Sequence, residues 1–252
     1  MKFYKYNANG NDFIIYEDEG KKDRSELAKA LCDRHSGIGA DGLIAILPSD
    51  ECDFEWDFYN CDGSRPLMCG NGSRAAAHFA VHYLKKPSKL CFLTEDGVIQ
   101  AEVSKNTVEV LLSGVKNEKA PFEFENKTWQ GCDTGVPHLV HFCENSHEFE
   151  KFDLKLCKTL RQKFNANVNY ALILDPTHMR VRTFERGVEN ETLACGTGMA
   201  ACFYLAHKNK LLQSKAKVWP KSDEMVSFRY ENERLYFKAE VRCSFEASYN
   251  FS

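Results

Sequence analysis

Two cysteines of this chain stand in matched surroundings. Around the first the chain reads Cys69-Gly70-Asn71-Gly72-Ser73-Arg74-Ala75-Ala76-Ala77-His78-Phe79, and around the second Cys195-Gly196-Thr197-Gly198-Met199-Ala200-Ala201-Cys202-Phe203. Each is Cys-Gly-polar-Gly followed by small apolar residues that predict a helix, so each thiol falls at a helix start. There the unpaired N–H groups and the positive end of the helix dipole favour a thiolate. The glycines at 70, 72, 196 and 198 let a ligand approach the backbone, and the free amides of a first helical turn can hold an anion such as a carboxylate. Two such turns facing one another would grip one carboxylate and set a thiol on either side of the adjacent carbon. Inverting a stereocentre by proton transfer needs that arrangement, a base on one face and an acid on the other. The amides of Gly70, Asn71, Gly196 and Thr197 would stabilise charge moving into the carboxylate as the proton leaves. No cofactor is called for, neither a metal nor a pyridoxal group.

What must position the thiols is legible as a duplication. The repeat length of 126 residues is too long for a solenoid and reads as a doubled domain. Phe58-Tyr59-Asn60 precedes Cys69 much as Thr183-Phe184-Glu185 precedes Cys195, so each half supplies a strand, a loop, a cysteine and a helix. Apolar residues alternate with polar ones at Phe54, Trp56 and Phe58, at Val108, Val110 and Leu112, and at Leu235, Phe237, Ala239 and Val241, which predicts half-buried strands. Residues 24–34 and 148–164 read as amphipathic helices on the outside. The helices after the two cysteines have hardly any polar face and are therefore expected inside, surrounded by sheet. The polar stretch 113–126, with Pro121, is expected to cross between the halves.

The expected fold class is thus α/β (α+β): two pseudo-symmetric domains, each a curved, mostly antiparallel sheet or barrel around a central buried helix, with the active site in the interdomain cleft. The first half takes residues 1–113 plus 242–252 and the second residues 114–241, the last strand returning to the first domain.

Composition narrows the partners. With 43% apolar residues in 252 the chain can bury a core, and a formal net charge of -3 offers no basic field for nucleic acid or an anionic membrane. Residues 1–16 lack the apolar centre of a signal peptide, and no stretch approaches the roughly 20 apolar residues of a membrane helix. Eleven cysteines, without CxxC pairs, fit neither a disulfide framework nor a zinc ribbon and point to the reducing cytoplasm. The expected partner is a small-molecule substrate, with neither nucleic acid nor membrane, and a homodimer is left open.

At these residues the chain resembles the diaminopimelate epimerase family, cofactor-independent two-cysteine enzymes that interconvert LL- and meso-2,6-diaminopimelate in lysine and peptidoglycan precursor synthesis. The matching blocks run nearly the whole length: Gly10-Asn11-Asp12-Phe13, Asp33-Arg34-His35 with Gly37-Ile38-Gly39, Asn60 with Asp62-Gly63-Ser64, Cys69-Gly70-Asn71-Gly72, Pro137-His138, Val168-Asn169, Glu185-Arg186-Gly187 and Ala194-Cys195-Gly196-Thr197-Gly198. The resemblance implies that Cys69 and Cys195 are the catalytic pair, with the amides of Gly70, Asn71, Gly196 and Thr197 on the reacting carboxylate. It further implies that Asn11, Asn60, Asn169, Glu185 and Arg186 bind the substrate's amino and carboxylate groups, and that His138 and Glu185 adjust the thiols' protonation. Arg186 suits the distant carboxylate, since a guanidinium presents a planar fork to two oxygens. Three departures stand out: Gly42 where some members carry an amide side chain, Val136 where some carry Asn before Pro-His, and a run from Glu185 to Cys195 one residue longer than in the shorter members.

Plainer readings weigh against other motifs. Cys32, Cys52, Cys61, Cys91, Cys132, Cys143, Cys157, Cys202 and Cys243 lack the helix-start context and read as structural. Gly37-Ile38-Gly39-Ala40-Asp41-Gly42 matches GxGxxG but follows a helix and precedes a strand, the reverse of a dinucleotide turn. His78/His82 has i, i+4 spacing without the Glu of HExxH, and with His138/His141 it reads as core or rim. Two rival functions use the same thiols: a proline or hydroxyproline racemase, whose pocket would be small and apolar, and a redox-sensing module whose thiols form a reversible disulfide.

Overall fold

A computed structural model describes residues 1–112 and 114–248. The chain divides into two compact units, Met1–Leu111 with the chain from Ala239 onward, and Leu112–Lys238. Ser113, where the sequence reading set one division, lies outside the described residues.

The first unit runs β1 (Lys2–Ala8), β2 (Asn11–Glu17), α1 (Ser25–Cys32), β3 (Gly42–Leu47), β4 (Phe54–Asn60), α2 (Gly70–His82), β5 (Lys89–Thr94), β6 (Gly97–Ser104) and β7 (Thr107–Leu111). The second runs β8 (Lys116–Phe124), β9 (Lys127–Asp133), β10 (Pro137–Phe142), α3 (Ser146–Glu150), α4 (Leu154–Phe164), β11 (Asn167–Asp175), β12 (His178–Glu185), β13 (Asn190–Thr192), α5 (Gly196–Lys208), β14 (Lys215–Trp219) and β15 (Val226–Glu231), and ends within β16 (Arg234–Glu240). A last strand, β17 (Arg242–Ser248), lies antiparallel to β1.

The two units repeat one topology. In the first, β2 is parallel to β3, β3 antiparallel to β4, β4 parallel to β5, and β5, β6 and β7 form an antiparallel meander. In the second, β10 is parallel to β11, β11 antiparallel to β12, β12 parallel to β14, and β14, β15 and β16 meander in turn. Parallel neighbours require a crossover, normally a helix. That is the place of α2 between β4 and β5, and of α5 between β12 and β14, so both cysteines open a crossover helix. Each helix is wrapped by strands of its own unit: α2 packs on β1, β2, β3, β6 and β7, and α5 on β9, β10, β11, β12, β14 and β15. Every residue of α2 from Gly70 to Ala80 is buried, which its glycines and alanines permit by letting strands approach from all sides.

Two expectations are corrected. Residues 148–164 do not form one helix: Asn145 caps α3 by accepting from Glu148 N, and Asp153 caps a separate α4 by accepting from Leu156 N, so a second start is written inside the apolar pattern. The stretch 113–126 is not a plain crossing, because residues 116–124 form β8, whose pairing among the described residues is with β9. It reads as polar because it is exposed to water, and Pro121 falls where the register shifts between Lys119 and Phe122 and no ladder N–H is needed. Among the described residues no helix is long and apolar enough to cross a membrane.

Candidate active site

In the first unit Cys69 is the N-cap of α2, in extended conformation, and its Sγ accepts a hydrogen bond from Gly72 N at 3.4 Å. Asn71, buried in the first turn, donates through Nδ2 to Asn11 Oδ1 at 3.5 Å, and the same oxygen lies 3.9 Å from Cys69 Sγ. Asn11 opens β2 and donates through Nδ2 to Asp41 Oδ2 at 2.6 Å. Asn60 closes β4 opposite Gly42, where it donates from N to Ser64 O and from Nδ2 to Ser64 Oγ, both at 2.9 Å. Cys69, Asn71 and Asn11 are therefore in mutual contact, while Asn60 is anchored to the polar turn that follows it.

In the second unit Cys195 caps α5, and its Sγ lies 3.5 Å from Thr197 Oγ1. His138 Nε2 is 3.0 Å from that hydroxyl, and Thr134 Oγ1 donates to Thr197 O at 2.8 Å. Behind His138 stands Asn169, wholly buried: Nδ2 donates to Leu139 O at 2.8 Å and to His138 Nδ1 at 3.2 Å, and Oδ1 accepts from Thr183 Oγ1 at 2.8 Å. Burial, reinforced by the Arg186 charge, pushes the His138 pKa down to about 3, so the imidazole is neutral at pH 7. The last glycine of the motif is a steric requirement here, since a Cβ at Gly198 would lie 2.5 Å from Asn169 Oδ1. Glu185 closes β12 as Asn60 closes β4. Arg186 follows it, half-buried, donating from N to Asn167 Oδ1 at 2.7 Å and from Nη1 to Asn165 O at 3.3 Å.

Of the departures noted above, Gly42 has a structural cause: a Cβ there would lie 2.5 Å from Phe58 Cε2 and 2.9 Å from Tyr59 O, so the Phe58 ring occupies the space of a side chain. Val136 is half-buried and engages Thr134 N only through its carbonyl, at 3.3 Å.

Several supporting residues were not singled out from sequence. Asp41 orients Asn11 and also accepts from Asp12 N at 3.1 Å, and Arg34 spans both carboxylates, at 2.7 Å from Asp12 Oδ1 and 2.8 Å from Asp41 Oδ1. Burial alone would raise the Asp12 pKa, but hydrogen bonds from Arg34 and Lys5 outweigh it and hold the carboxyl well below the usual range. Thr134 and Thr183 likewise reach the site only through tertiary contact. A signal for Arg34 is present in the Asp33-Arg34-His35 block and Thr183 stands in the repeated Thr183-Phe184-Glu185 strand, whereas nothing in the sequence marks Thr134.

Five of the other thiols are poor bases. Burial pushes Cys32, Cys132 and Cys143 up to about 12, and Cys157 and Cys202 higher still, which leaves them protonated at neutral pH. His141, Cys143 and Glu148 bring ligand atoms within 4.8 Å of one another. The Lys127 ammonium already pairs with Glu148, and His141 sits between Thr128 O at 3.0 Å and Glu148 Oε1 at 2.9 Å, so the cluster is a satisfied ion network.

Comparison with known proteins gives consistent matches over the full length. The family model described as diaminopimelate epimerase matches residues 3–117 and 132–234. A diaminopimelate epimerase from Campylobacter lari (strain RM2100) is 59% identical over 252 residues, and one from Campylobacter jejuni subsp. jejuni serotype O:23/36 is 60% identical over 252 residues, with 100% of each chain covered in both cases. Among solved structures, a phenazine biosynthesis protein of the PhzF family from Enterococcus faecalis superposes with a TM-score of 0.77 at 14% identity, covering 99% of both chains. A probable proline racemase from Agrobacterium radiobacter K84 superposes with a TM-score of 0.74 at 10% identity, covering 100% of this chain and 93% of that one. These two likenesses speak to the fold alone, the expected class of paired, sheet-wrapped helices.

Proposed function

This chain belongs to the diaminopimelate epimerase family, and from that membership we propose that it interconverts LL- and meso-2,6-diaminopimelate by two-base proton transfer, with Cys69 and Cys195 as the acid/base pair. The observation that carries the reading is the duplicated helix start, in which each Cys-Gly-polar-Gly motif caps a buried crossover helix at the same point of a repeated topology. One cysteine, as thiolate, takes the alpha proton and forms an S–H bond while the C–H electron pair moves into the carboxylate. The other, as thiol, delivers its proton to the opposite face of the same carbon and is left as thiolate. Two equivalent sulfurs run the reaction in both directions.

The amides of Gly70, Asn71, Gly196 and Thr197 receive the reacting carboxylate, where hydrogen bonds strengthen as charge accumulates. Asn11, Asn60, Asn169, Glu185 and Arg186 receive the amino groups and the distant carboxylate, and His138 and Glu185 set the protonation of the thiols. We place the enzyme in the reducing cytoplasm, acting on a free amino acid without cofactor, nucleic acid or membrane.

Heavy water tests the reading. Incubation with LL-diaminopimelate is expected to give the meso form with deuterium at the inverted alpha carbon, and Cys69→Ala or Cys195→Ala to abolish epimerisation. Serine at either position should lower turnover by several orders of magnitude, since a hydroxyl is a far weaker acid than a thiol. An active double Ser variant would sink the two-thiol mechanism. Proline inverted at comparable efficiency would move the substrate to the racemase class, and a reversible Cys69–Cys195 disulfide without any exchange would leave only the redox reading.

A further inference from the structure

The two helix starts differ at one position in a way the fold does not demand. Five residues after Cys69 stands Arg74, and five after Cys195 stands Ala200, both fully buried inside their helices. The second unit builds the same capped crossover helix with a methyl group there, so a guanidinium is not needed to make the turn. Burying one is expensive unless its donors are met. Arg74 Nη2 donates to Asn71 Oδ1 and to Asn9 Oδ1, each at 2.7 Å, and Nη1 donates to Glu240 O at 3.1 Å.

These partners define what the side chain does. Asn71 Oδ1 is held toward the guanidinium, which turns Nδ2 toward Asn11 Oδ1. Asn9, in the left-handed region at φ 56°, belongs to the tight turn between β1 and β2 that delivers Asn11. One cation thus ties the first turn of α2, with Cys69 and its amides, to the hairpin that carries Asn11. In the second unit the corresponding residue, Thr197, is held instead by His138 and Thr134.

We propose that Arg74 is a positioning residue for the Cys69 half of the site, which sets the Cys69–Asn71 turn and Asn11 in register for the substrate carboxylate. This rests on the epimerase reading above. A displacement of about 1 Å at such a turn lowers turnover by roughly a hundredfold. Arg74→Met, which keeps the helix and removes the fork, is expected to lose about that factor in kcat/KM, mostly in kcat, and Arg74→Lys, which keeps the charge without the fork, to fall between it and the parent.

The readout independent of substrate is iodoacetamide labelling of the folded protein, followed by mass spectrometry at each cysteine. In Arg74→Met, Cys69 is expected to react at least tenfold more slowly than in the parent while Cys195 keeps its rate, a one-sided change that general loosening would not produce. Should Arg74→Met fail to fold, Asn9→Gly removes one anchor while keeping the left-handed backbone of the β1–β2 turn and is expected to slow Cys69 in the same one-sided manner. Cys69 labelled at the parental rate in the variant tested, or both cysteines changed alike, would overturn the proposal. A parent protein inert toward diaminopimelate, with Cys69 still slowed selectively, would instead remove the substrate reading and leave the role of Arg74 in place.

Discussion

The hydrogen bond between His138 and Thr197 has a fixed direction. Asn169 Nδ2 donates to the Leu139 carbonyl, which establishes the nitrogen end of that amide, so His138 Nδ1 must accept from it and Nε2 must carry the ring proton. Nε2–H then donates to Thr197 Oγ1, which leaves the threonine's own hydrogen available to Cys195 Sγ, 3.5 Å away, whenever that sulfur is the thiolate. In the direction in which Cys195 acts as the thiolate, Thr197→Val should remove a hydrogen bond to a charged sulfur, worth about 1.5–3 kcal/mol, or roughly ten- to a hundredfold in turnover. Asn169→Asp should be as damaging for the opposite reason: an acceptor at Nδ1 moves the ring proton there, and Nε2 becomes an acceptor that draws the threonine hydrogen away from sulfur. Steady-state rates for both variants check this, and a Thr197→Val enzyme with parental kcat would remove the chain from the mechanism.

The same histidine makes stability depend on pH. Its folded-state pKa of about 3 lies below the unfolded value near 6.5, so the unfolded chain gains a proton as pH falls through that interval and the folded protein does not. The contribution is intact above about pH 6.5 and is lost at up to ~1.4 kcal/mol per pH unit below it. His138→Gln should therefore lose less stability than the parent between pH 7 and pH 4.5, compared by urea unfolding at each pH. Parallel losses in the two proteins would show that His138 is protonated in the fold.

The duplication was legible because it is written in residue types: a cysteine, two glycines and a run of alanines are distinctive, and a helix with no polar face has to be enclosed. The two helix starts at α3 and α4 were missed because Asp153 looks like an ordinary surface residue until its carboxylate is seen capping Leu156 N. Strand β8 reads as a linker in the sequence because residues so exposed to water carry none of the alternation that marks a half-buried strand. The surroundings of His138 are out of reach of the sequence for another reason: Thr134 bonds Thr197 and Thr183 bonds Asn169, the two partners of the imidazole, and only the pairing of β9 with β10, β10 with β11 and β11 with β12 assembles them.

Gly42 offers a test of packing next to the site. The Phe58 ring fills the position a side chain would need, so Gly42→Ala is an overpacking change expected to cost about 1–3 kcal/mol. Gly20 has open space around its would-be Cβ, and Gly20→Ala should be neutral or stabilising by about 0.4–1 kcal/mol. Denaturant midpoints of the two variants decide the matter. If trimming the ring in Gly42→Ala/Phe58→Leu does not recover stability, the close approach of Phe58 is not the cause.

Arg24 supplies the last prediction. It lies in the stretch expected to be an exposed amphipathic helix, yet its side chain is fully buried at the N-cap of α1. Nε donates to Tyr16 Oη at 2.8 Å, Nη1 to Lys22 O at 3.0 Å and to Asp57, and Nη2 to Asp18 Oδ2 at 3.0 Å and Gly20 O at 2.6 Å. All five donors are used, and Asp57 is itself only 3% exposed. Replacing one pair by apolar groups can be nearly neutral, whereas removing one partner strands a buried charge. Arg24→Met is therefore expected to cost about 3–5 kcal/mol at pH 7, far more than any surface arginine, and Arg24→Met/Asp57→Leu to recover a good part of it. The penalty should shrink toward pH 2, because hydrogen bonds from Lys22 and Arg24 outweigh burial and hold the Asp18 pKa at about 2, so acid removes the pairing from the parent as well. A single variant as stable as the parent at pH 7 would mean that Arg24 is solvated in solution and that α1 does not begin where it is drawn.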